Sequence, residues 1–422
     1  MDSLSMLFAL GGSGENGRNC YLLKTPSGSI LLDCGVKRIV SPEHIGEYPK
    51  LTPEIVSDIK AVFLSHAHED HCAGLPLLYA LGYTGWVYGS QETIDAAPQM
   101  IRKWMAFVLA QGGTLPFRQE DAQRVQFAPL ALGAGSLCGM RILTGRSGHT
   151  AGSMWIALGW EKDGYQLFYS GDMCTCAASL ACDMPPACDH AVLNCAYAGQ
   201  VLDQNAQYDT LTQAAIHTLA GGGKLLLPVP PTGRGCDMLL HLAQNIPHAE
   251  IHAAKSIIAN TRAMLENTKW LCGSLPHPSV LDGVHVLGDA DDYTSACKGR
   301  PAILLVTDGM LTTAEGLACF HLLKGGAANR VIISGHAAPG TAGGNLLDSA
   351  WRMAHGVAMK ADKMVIKVHL DDYDALNMHK HLQAKETILF HAPAQSCESI
   401  IRAYAHAGAH ACCLTPEEAL TL

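Results

Sequence analysis

Apolar and polar positions along the chain fall into two textures. From residue 6 to residue 199, short apolar runs end in glycine or polar turns: MLFAL, CYLLKT, SGSILLDCG, AVFL, RILTG, MWIAL, YQLFYSGDM and AVLNCAYAG. Runs of this length bounded by turn residues predict buried strands. Between them the pattern predicts helices over Leu75–Leu81 and from Gln91 to Gln111, with a short strand at Gly85–Gly89. From Gln200 the texture changes. A helix over Tyr208–Ala220 closes at Gly221–Gly223, the strand KLLLPVP follows, and a turn with Gly233 and Arg234 leads to a helix over Met238–Ile246. The strands AEIHA, PAILLVTDG and RVIISGH continue this alternation to Met359. Strands alternating with helices predict a second α/β unit with a parallel sheet. The last part holds MVIKVHLDD, a helix near Ala375–Leu382, ETILFHAPA, a helix over Gln395–Ala407 and a closing strand, with His369 and His391 placed at strand ends.

One stretch changes this from a fold reading to a chemical one. Residues 61–76 read AVFLSHAHEDHCAGLP, a buried strand running into a loop that carries His66, His68, Asp70 and His71. Three imidazoles and a carboxylate are costly to crowd together unless something pairs with them. A divalent metal supplies that pairing, since imidazole nitrogen and carboxylate oxygen are both ordinary zinc ligands. Alternation sets His66 and His68 on one side, leaving Asp70 and His71 to serve a second ion.

Further candidates sit where strands end. Asp33 closes a strand in LLDCG and is suited to orienting a ligand histidine from behind. His149 lies in the loop of RILTGRSGHTAGSMWIAL, and Asp172 directly follows a strand in YQLFYSGDM. Gly12, Gly14 and Gly17 spell G-x-G-x-x-G, but a dinucleotide fingerprint must open a helix and this one opens the strand Cys20–Leu23. A loop between antiparallel strands is the better reading. Cys174, Cys176, Cys182 and Cys188 fit no zinc-knuckle spacing and read as plain thiols.

Composition narrows the class. The 422 residues suggest two domains, and at 48% hydrophobic and 16% charged the chain is globular. No apolar run is long enough to span a membrane. The opening SLSMLFAL lacks a basic region and reads as a strand rather than a signal peptide. Sixteen cysteines without a secretion signal then imply free thiols in a reducing cytoplasm. A net charge of −9 argues against a protein that coats nucleic acid through a broad basic surface, but not against a nucleic-acid enzyme with a local groove.

Taken together, these residues resemble the metallo-β-lactamase superfamily, and in particular its β-CASP branch, which includes ribonuclease J and the pre-mRNA 3′-end cleavage endonuclease. Asp33 matches the first motif; His66, His68, Asp70 and His71 the second; His149 in SGHTAGS the third; Asp172 in YSGDM the fourth. The loop GGSGENGRN is similar to that of ribonuclease J. LPVPPTGRGCDMLL, with Arg234 and Asp237, VTDGMLTTAEG, with Gly309 and Met310, and SGHAAPGTAGGNLL, with Gly340 and Thr341, resemble β-CASP segments. His369 and His391 fall at motifs B and C. The resemblance implies an α/β fold: an α-β-β-α metallo-β-lactamase sandwich with an inserted β-CASP α/β domain. Its parts would be residues 1–199, the insertion at 200–360, and a return at 361–422. It implies two zinc ions, with manganese as the alternative metal. One ion would be held by His66, His68 and His149, the other by Asp70, His71 and His391, with Asp172 bridging.

The function implied is hydrolysis of phosphodiester bonds in single-stranded RNA, by internal cutting, 5′-directed digestion or both. Asp70 would handle the proton of the attacking water, Asp33 would support the ligands, and His369 would protonate the leaving oxygen. Arg234, Gly340 and Thr341 would hold flanking phosphates. A cytoplasmic protein that forms a homodimer is the accompanying expectation. The chain departs from the family at motif A, where Asn194 stands in place of a carboxylate. An amide can hydrogen-bond His369 but cannot stabilise its charge. That substitution and the negative net charge leave two rivals open: a hydrolase of a small phosphoester, thioester or lactone, and a non-catalytic partner in RNA processing.

Overall fold

The computed structural model describes residues 5–422 except 27, 42, 43, 274, 336, 339, 416 and 417. The chain divides into two compact units. The first comprises Met1–Thr175, Ala181–Val201 and His369–Leu422; the second comprises Cys176–Leu180 and Leu202–Val368.

The first unit holds two seven-stranded sheets. In one, the strands run in the order Ala419–Thr421, Met6–Gly11, Cys20–Thr25, Gly28–Leu32, Ile59–Phe63, Trp86–Gly89 and Gln126–Pro129. In the other, the order is Ala411–Cys412, Glu386–Phe390, Cys188–Asn194, Tyr165–Tyr169, Met154–Gly159, Met140–Arg146 and Gly133–Leu137. Alternate residues of each sheet meet in one core, where Leu7, Tyr21, Leu32 and Phe63 pack with Ile156, Leu167, Tyr169 and Phe390. The opposite faces are apolar as well. Leu31, Val62 and Val87 pack with Leu75, Leu78 and Ile101 from the helices Leu75–Ala80 and Gln91–Ala110. Ala191, Leu193 and Leu389 pack with Ala375, Met378, Ile400 and Tyr404 from the helices Asp372–Leu382 and Ala394–His406. With both faces of each sheet covered, the unit is layered α-β-β-α, the mixed α/β sandwich that the family resemblance implies.

The second unit is built on a six-stranded, wholly parallel sheet ordered Val284–Leu287, Ile251–Ala254, Ile303–Val306, Leu225–Pro228, Arg330–Ile333 and Lys360–Lys363. The central strands ILLV and LLLP are buried throughout, as parallel strands covered on both faces must be.

Two sequence expectations need correction. MVIKVHLDD alternates like a strand, a pattern that sets His369 at a strand end, but residues 364–370 form no strand. Their backbone finds side-chain partners instead. Val365 N donates to Gln207 Oε1, Lys367 N donates to Gln204 Oε1 at 2.8 Å, and Gln204 Nε2 donates to Lys367 O. These bonds lie within the second unit, to which Leu202–Val368 belongs. Arg234 is also not in a turn: it is the first residue of the helix Arg234–Asn245.

Candidate metal centre

The strand Ile59–Phe63 lies inside the first sheet, paired on both sides with parallel neighbours. At its carboxyl end the chain leaves the sheet, and within a few residues it enters the short helix Glu69–Cys72, whose N-cap is His68. Asp33 lies alongside, after Gly28–Leu32, with its N donating to Phe63 O at 2.8 Å. Gly35 then passes so close to the helix start that an added Cβ would stand 1.6 Å from Asp70 O, so only glycine fits.

Asp33 is fully buried and its carboxylate is saturated. Oδ1 accepts from Ser65 N at 2.7 Å; Oδ2 accepts from Ser65 Oγ at 2.7 Å and from Tyr169 Oη at 2.6 Å, and lies 2.6 Å from His71 Nδ1. An acceptor there fixes the proton of His71 on Nδ1 and leaves Nε2 facing the centre. Tyr169 ends a strand of the other sheet, so the ends of both sheets build this one support.

Donor atoms then converge from separate segments. His66, His68, His149 and Asp172 form one group, Asp70, His71 and His391 a second, and Asp172, His369 and His391 a third; within each group the ligand atoms lie within 4.8 Å of one another. Asp172 is central. Its Oδ2 lies 3.5 Å from His66 Nε2, 3.5 Å from His149 Nε2 and 3.5 Å from His391 Nε2, while Oδ1 lies 3.3 Å from His71 Nε2. His391 Nε2 lies 3.1 Å from Asp70 Oδ2. His391 follows its strand at φ +65°, a region that L residues rarely adopt, and is pinned there by its N donating to Gly12 O.

These separations fit ions. With bonds of about 2.1 Å to nitrogen and oxygen ligands, tetrahedral donors stand about 3.4 Å apart. His66 Nε2 is buried and has no hydrogen-bond partner, which is costly for a ring nitrogen unless a cation takes its lone pair. His66, His68, His149 and Asp172 are spaced to surround one ion and Asp70, His71 and His391 a second, with Asp172 oxygens 3.3 Å from His71 Nε2 and 3.5 Å from His391 Nε2.

The electrostatics point the same way. Burial pushes His66 and His369 well below the usual imidazole range and lowers His68. Burial also works against a charge on His71 and His391. There the carboxylates of Asp172 and Asp70 outweigh it, raising His71 well above its ordinary value and His391 to about 9. Asp172 and Asp70 are held low, against the effect of burial, by the surrounding histidines. The cluster is a buried anionic site that takes up positive charge.

His369 stands beside it, its ring centroid 4.7 Å from that of His149 and 4.9 Å from that of His391. Asn194 Nδ2 donates to its Nδ1 at 2.9 Å. The acidic neighbours Asp371 and Asp372 have tasks of their own. Asp371 caps its helix by accepting from Asp374 N, and Asp372 accepts from Gly199 N and Ser399 Oγ.

Arg234, Gly340 and Thr341 belong to the second unit. Arg234 Nη1 donates to the main-chain oxygens of Ser334 and Ile366, and its guanidinium fills the space where a Cβ on Gly335 would be. Thr341 caps the short helix Ala342–Asn345, and Gly340 is exposed at φ +84°. His336 and Pro339 of the same segment lie outside the described residues. Sequence reasoning assigned no role to Ser65, Tyr169 or Asn19, which touch Asp33, Asp70 or His71. Asn19 lies in the GGSGENGRN loop and Tyr169 three residues before Asp172, but only the folded contacts reveal what they do.

Fold and site together define a metallo-β-lactamase domain, and residues 13–158 match the model of the metallo-beta-lactamase superfamily. The resemblance to β-CASP nucleases extends over most of the chain. It is 27% identical over 82% of its length to the transcription termination factor FttA of Methanothermobacter thermautotrophicus, of which it covers 58%. It is 28% identical over 81% of its length to an RNase J-like protein of Methanocaldococcus jannaschii, of which it covers 80%. The chain thus spans about three-fifths of the termination factors it matches. A crystal structure of a protein of unknown function from Enterococcus faecalis matches the whole chain with a TM-score of 0.60 at 14% identity, a likeness of fold. Among the described residues no helix is long and apolar enough to cross a membrane.

Proposed function

We propose that this chain is a metal-dependent nuclease that hydrolyses phosphodiester bonds of single-stranded RNA at a dinuclear centre. Zinc is the first candidate metal and manganese the alternative. The observation that carries this is the convergence of His66, His68, Asp70, His71, His149, Asp172 and His391 around Asp172, with Asp33 buttressing His71. When bound, two divalent ions would supply a hydroxide nucleophile near neutral pH and neutralise charge developing on the phosphate.

The side chains do the rest. Asp70 accepts the proton of the attacking water or orients it. Asp33 keeps His71 in the tautomer that presents Nε2. His369, with Asn194 on its Nδ1, carries its proton on Nε2 and offers it to the leaving oxygen. Because Asn194 is neutral, His369 acts as a neutral donor and is a weaker acid than an imidazolium. Arg234, whose Nη1 donates to the main-chain oxygens of Ser334 and Ile366, and the backbone near Gly340 and Thr341 are the candidate phosphate contacts of the second unit. A cytoplasmic site of action and a homodimeric state are part of the same proposal.

Asn194 and the net charge of −9 favour the rival reading, a hydrolase of small phosphoesters, thioesters or lactones. End-labelled single-stranded RNA incubated with zinc or manganese separates the two, with a His68→Ala, Asp70→Ala double variant alongside. Cleavage by wild type alone is the expected result, and the fragment ladder distinguishes internal from end-directed cutting. Silence of a wild type that carries two ions per chain would overturn the RNA reading and turn the search to small esters.

A further inference from the structure

Asn19 is fully buried and built into the centre, yet it is not one of the seven converging ligands. Its main chain is tied down on both sides: N donates to Asp70 O at 2.9 Å, and O accepts from Gly35 N at 3.0 Å. Its side chain reaches two donor atoms of one metal position, with Nδ2 2.9 Å from His71 Nε2 and 3.2 Å from Asp70 Oδ2. Because Asp33 engages His71 Nδ1, Nε2 is the atom His71 presents to an ion. One atom of Asn19 therefore sits at donor-to-donor spacing from two ligands of the same position.

The other end of the amide is unsatisfied. Asn19 Oδ1 is buried without a hydrogen-bond partner, and so is Tyr21 Oη. Both face Gly12: a Cβ added there would lie 2.5 Å from Asn19 Oδ1 and 3.1 Å from Tyr21 Oη. Each buried polar atom left unpaired costs about 1–3 kcal/mol. A half-turn of the amide places Oδ1 where Nδ2 now stands, facing His71 Nε2 and Asp70 Oδ2. Without a cation that turn would set an oxygen against a carboxylate. With a cation between them it is favourable.

We propose that Asn19 is a fourth side chain of the Asp70–His71–His391 position, offering its amide oxygen to the ion held there. In the ion-free protein the same amide, turned the other way, donates from Nδ2 to Asp70 Oδ2 at 3.2 Å. A carbonyl oxygen is a harder donor than imidazole, so its presence favours manganese over zinc at this position. The proposal rests on the dinuclear reading above.

The test is a chelator-competition titration of metal-free protein with manganese and, separately, with zinc, reporting ion number and both affinities. Wild type is expected to bind two ions. Asn19→Ala should leave the tighter ion at the His66–His68–His149 position unchanged and weaken the other about 10- to 100-fold, more for manganese than for zinc. Asn19→Asp, which keeps the shape and adds a charge, should tighten the second ion, and it decides the matter if Asn19→Ala does not fold by circular dichroism. Two ions bound by Asn19→Ala with wild-type affinities, or no tightening in Asn19→Asp, overturn the proposal alone. Fewer than two ions in wild type overturns the dinuclear reading and the proposal with it.

Discussion

Asn194 donates its amide to His369 Nδ1 at 2.9 Å, while its own Oδ1 is buried without a partner. Only Nδ2 can donate, so the imidazole nitrogen accepts and the ring proton is on Nε2. Burial keeps this ring well below its ordinary pKa. A carboxylate in place of the amide would accept from Nδ1–H and favour the charged ring. Asn194→Asp is therefore expected to raise the rate of RNA cleavage about tenfold, and His369→Ala to lower it about 100-fold or more. Single-turnover cleavage rates at saturating metal decide this; equal rates in wild type and Asn194→Asp would remove His369 from the proton-donor role.

Asp33 binds four groups with two oxygens, and all of them are buried. Asp33→Ala strands the amide of Ser65 and the hydroxyl of Tyr169, and is expected to lower stability by about 3–5 kcal/mol. Asp33→Asn is milder in shape but brings a donor where only acceptors serve. It should weaken the ion at the Asp70–His71–His391 position by about 10- to 100-fold. Thermal melts of the metal-free forms, paired with metal titrations, separate the two effects. An Asp33→Asn protein with wild-type metal affinity would show that Asp33 supports the fold only.

Metal itself should act as a stabiliser. A ligand at a hundred times its Kd adds about 2.7 kcal/mol to the folded state. Chelation should therefore lower the melting midpoint by several degrees, and zinc or manganese should restore it. Asp172→Ala, which takes away the carboxylate that lies within 3.5 Å of histidines of both positions, should abolish most of that response. A full zinc-induced shift in this variant would show that the ions bind elsewhere.

Much of this centre was legible in the sequence because its ligands are tied to strand ends. His66 and His68, Asp172 and His391 all lie within a few residues of where a buried apolar run stops, and the runs themselves are unambiguous. The helix Gln91–Ala110 was similarly readable, since Ser90 caps it by accepting from Thr93 N. Legibility failed where side chains replace a regular partner. Residues 364–370 carry strand-like alternation, but Gln204 and Gln207 satisfy their backbone in place of a neighbouring strand. Asn19 and Tyr169 gain their meaning from residues far away along the chain, 51 positions for Asn19 with Asp70 and 136 for Tyr169 with Asp33. No local pattern encodes contacts of that range.

Arg234, which the family resemblance assigns to a flanking phosphate, donates from Nη1 to the main-chain oxygens of Ser334 and Ile366. A lysine lacks the flat guanidinium that lies against Gly335. Arg234→Lys is expected to cost about 1–3 kcal/mol of stability and to change RNA affinity only as far as the second unit loosens. Denaturant melts and binding isotherms on the same preparations check this. Unchanged stability with a sharp loss of RNA affinity would return Arg234 to the substrate.

Asp237 offers a pH dependence away from the metal cluster. It lies in the first turn of the helix Arg234–Asn245, 3% exposed, with Oδ1 lacking a partner. Burial raises its pKa to about 6, and a hydrogen bond from Ser179 offsets only part of that. An unfolded aspartate titrates near about 3.9, so between about 4 and 6 the folded chain holds a proton that the unfolded chain has lost. Stability from this group is therefore full below about 4, falls as pH rises through about 6, and is flat beyond. Two pH units correspond to at most about 3 kcal/mol. Asp237→Asn, neutral at every pH, is expected to match wild type near pH 4 and to exceed it by about 1–3 kcal/mol at pH 7. The difference in melting midpoint between the two proteins, followed from pH 4 to pH 7.5, should open through pH 6. A constant difference would mean that Asp237 stays charged throughout and that its burial is compensated.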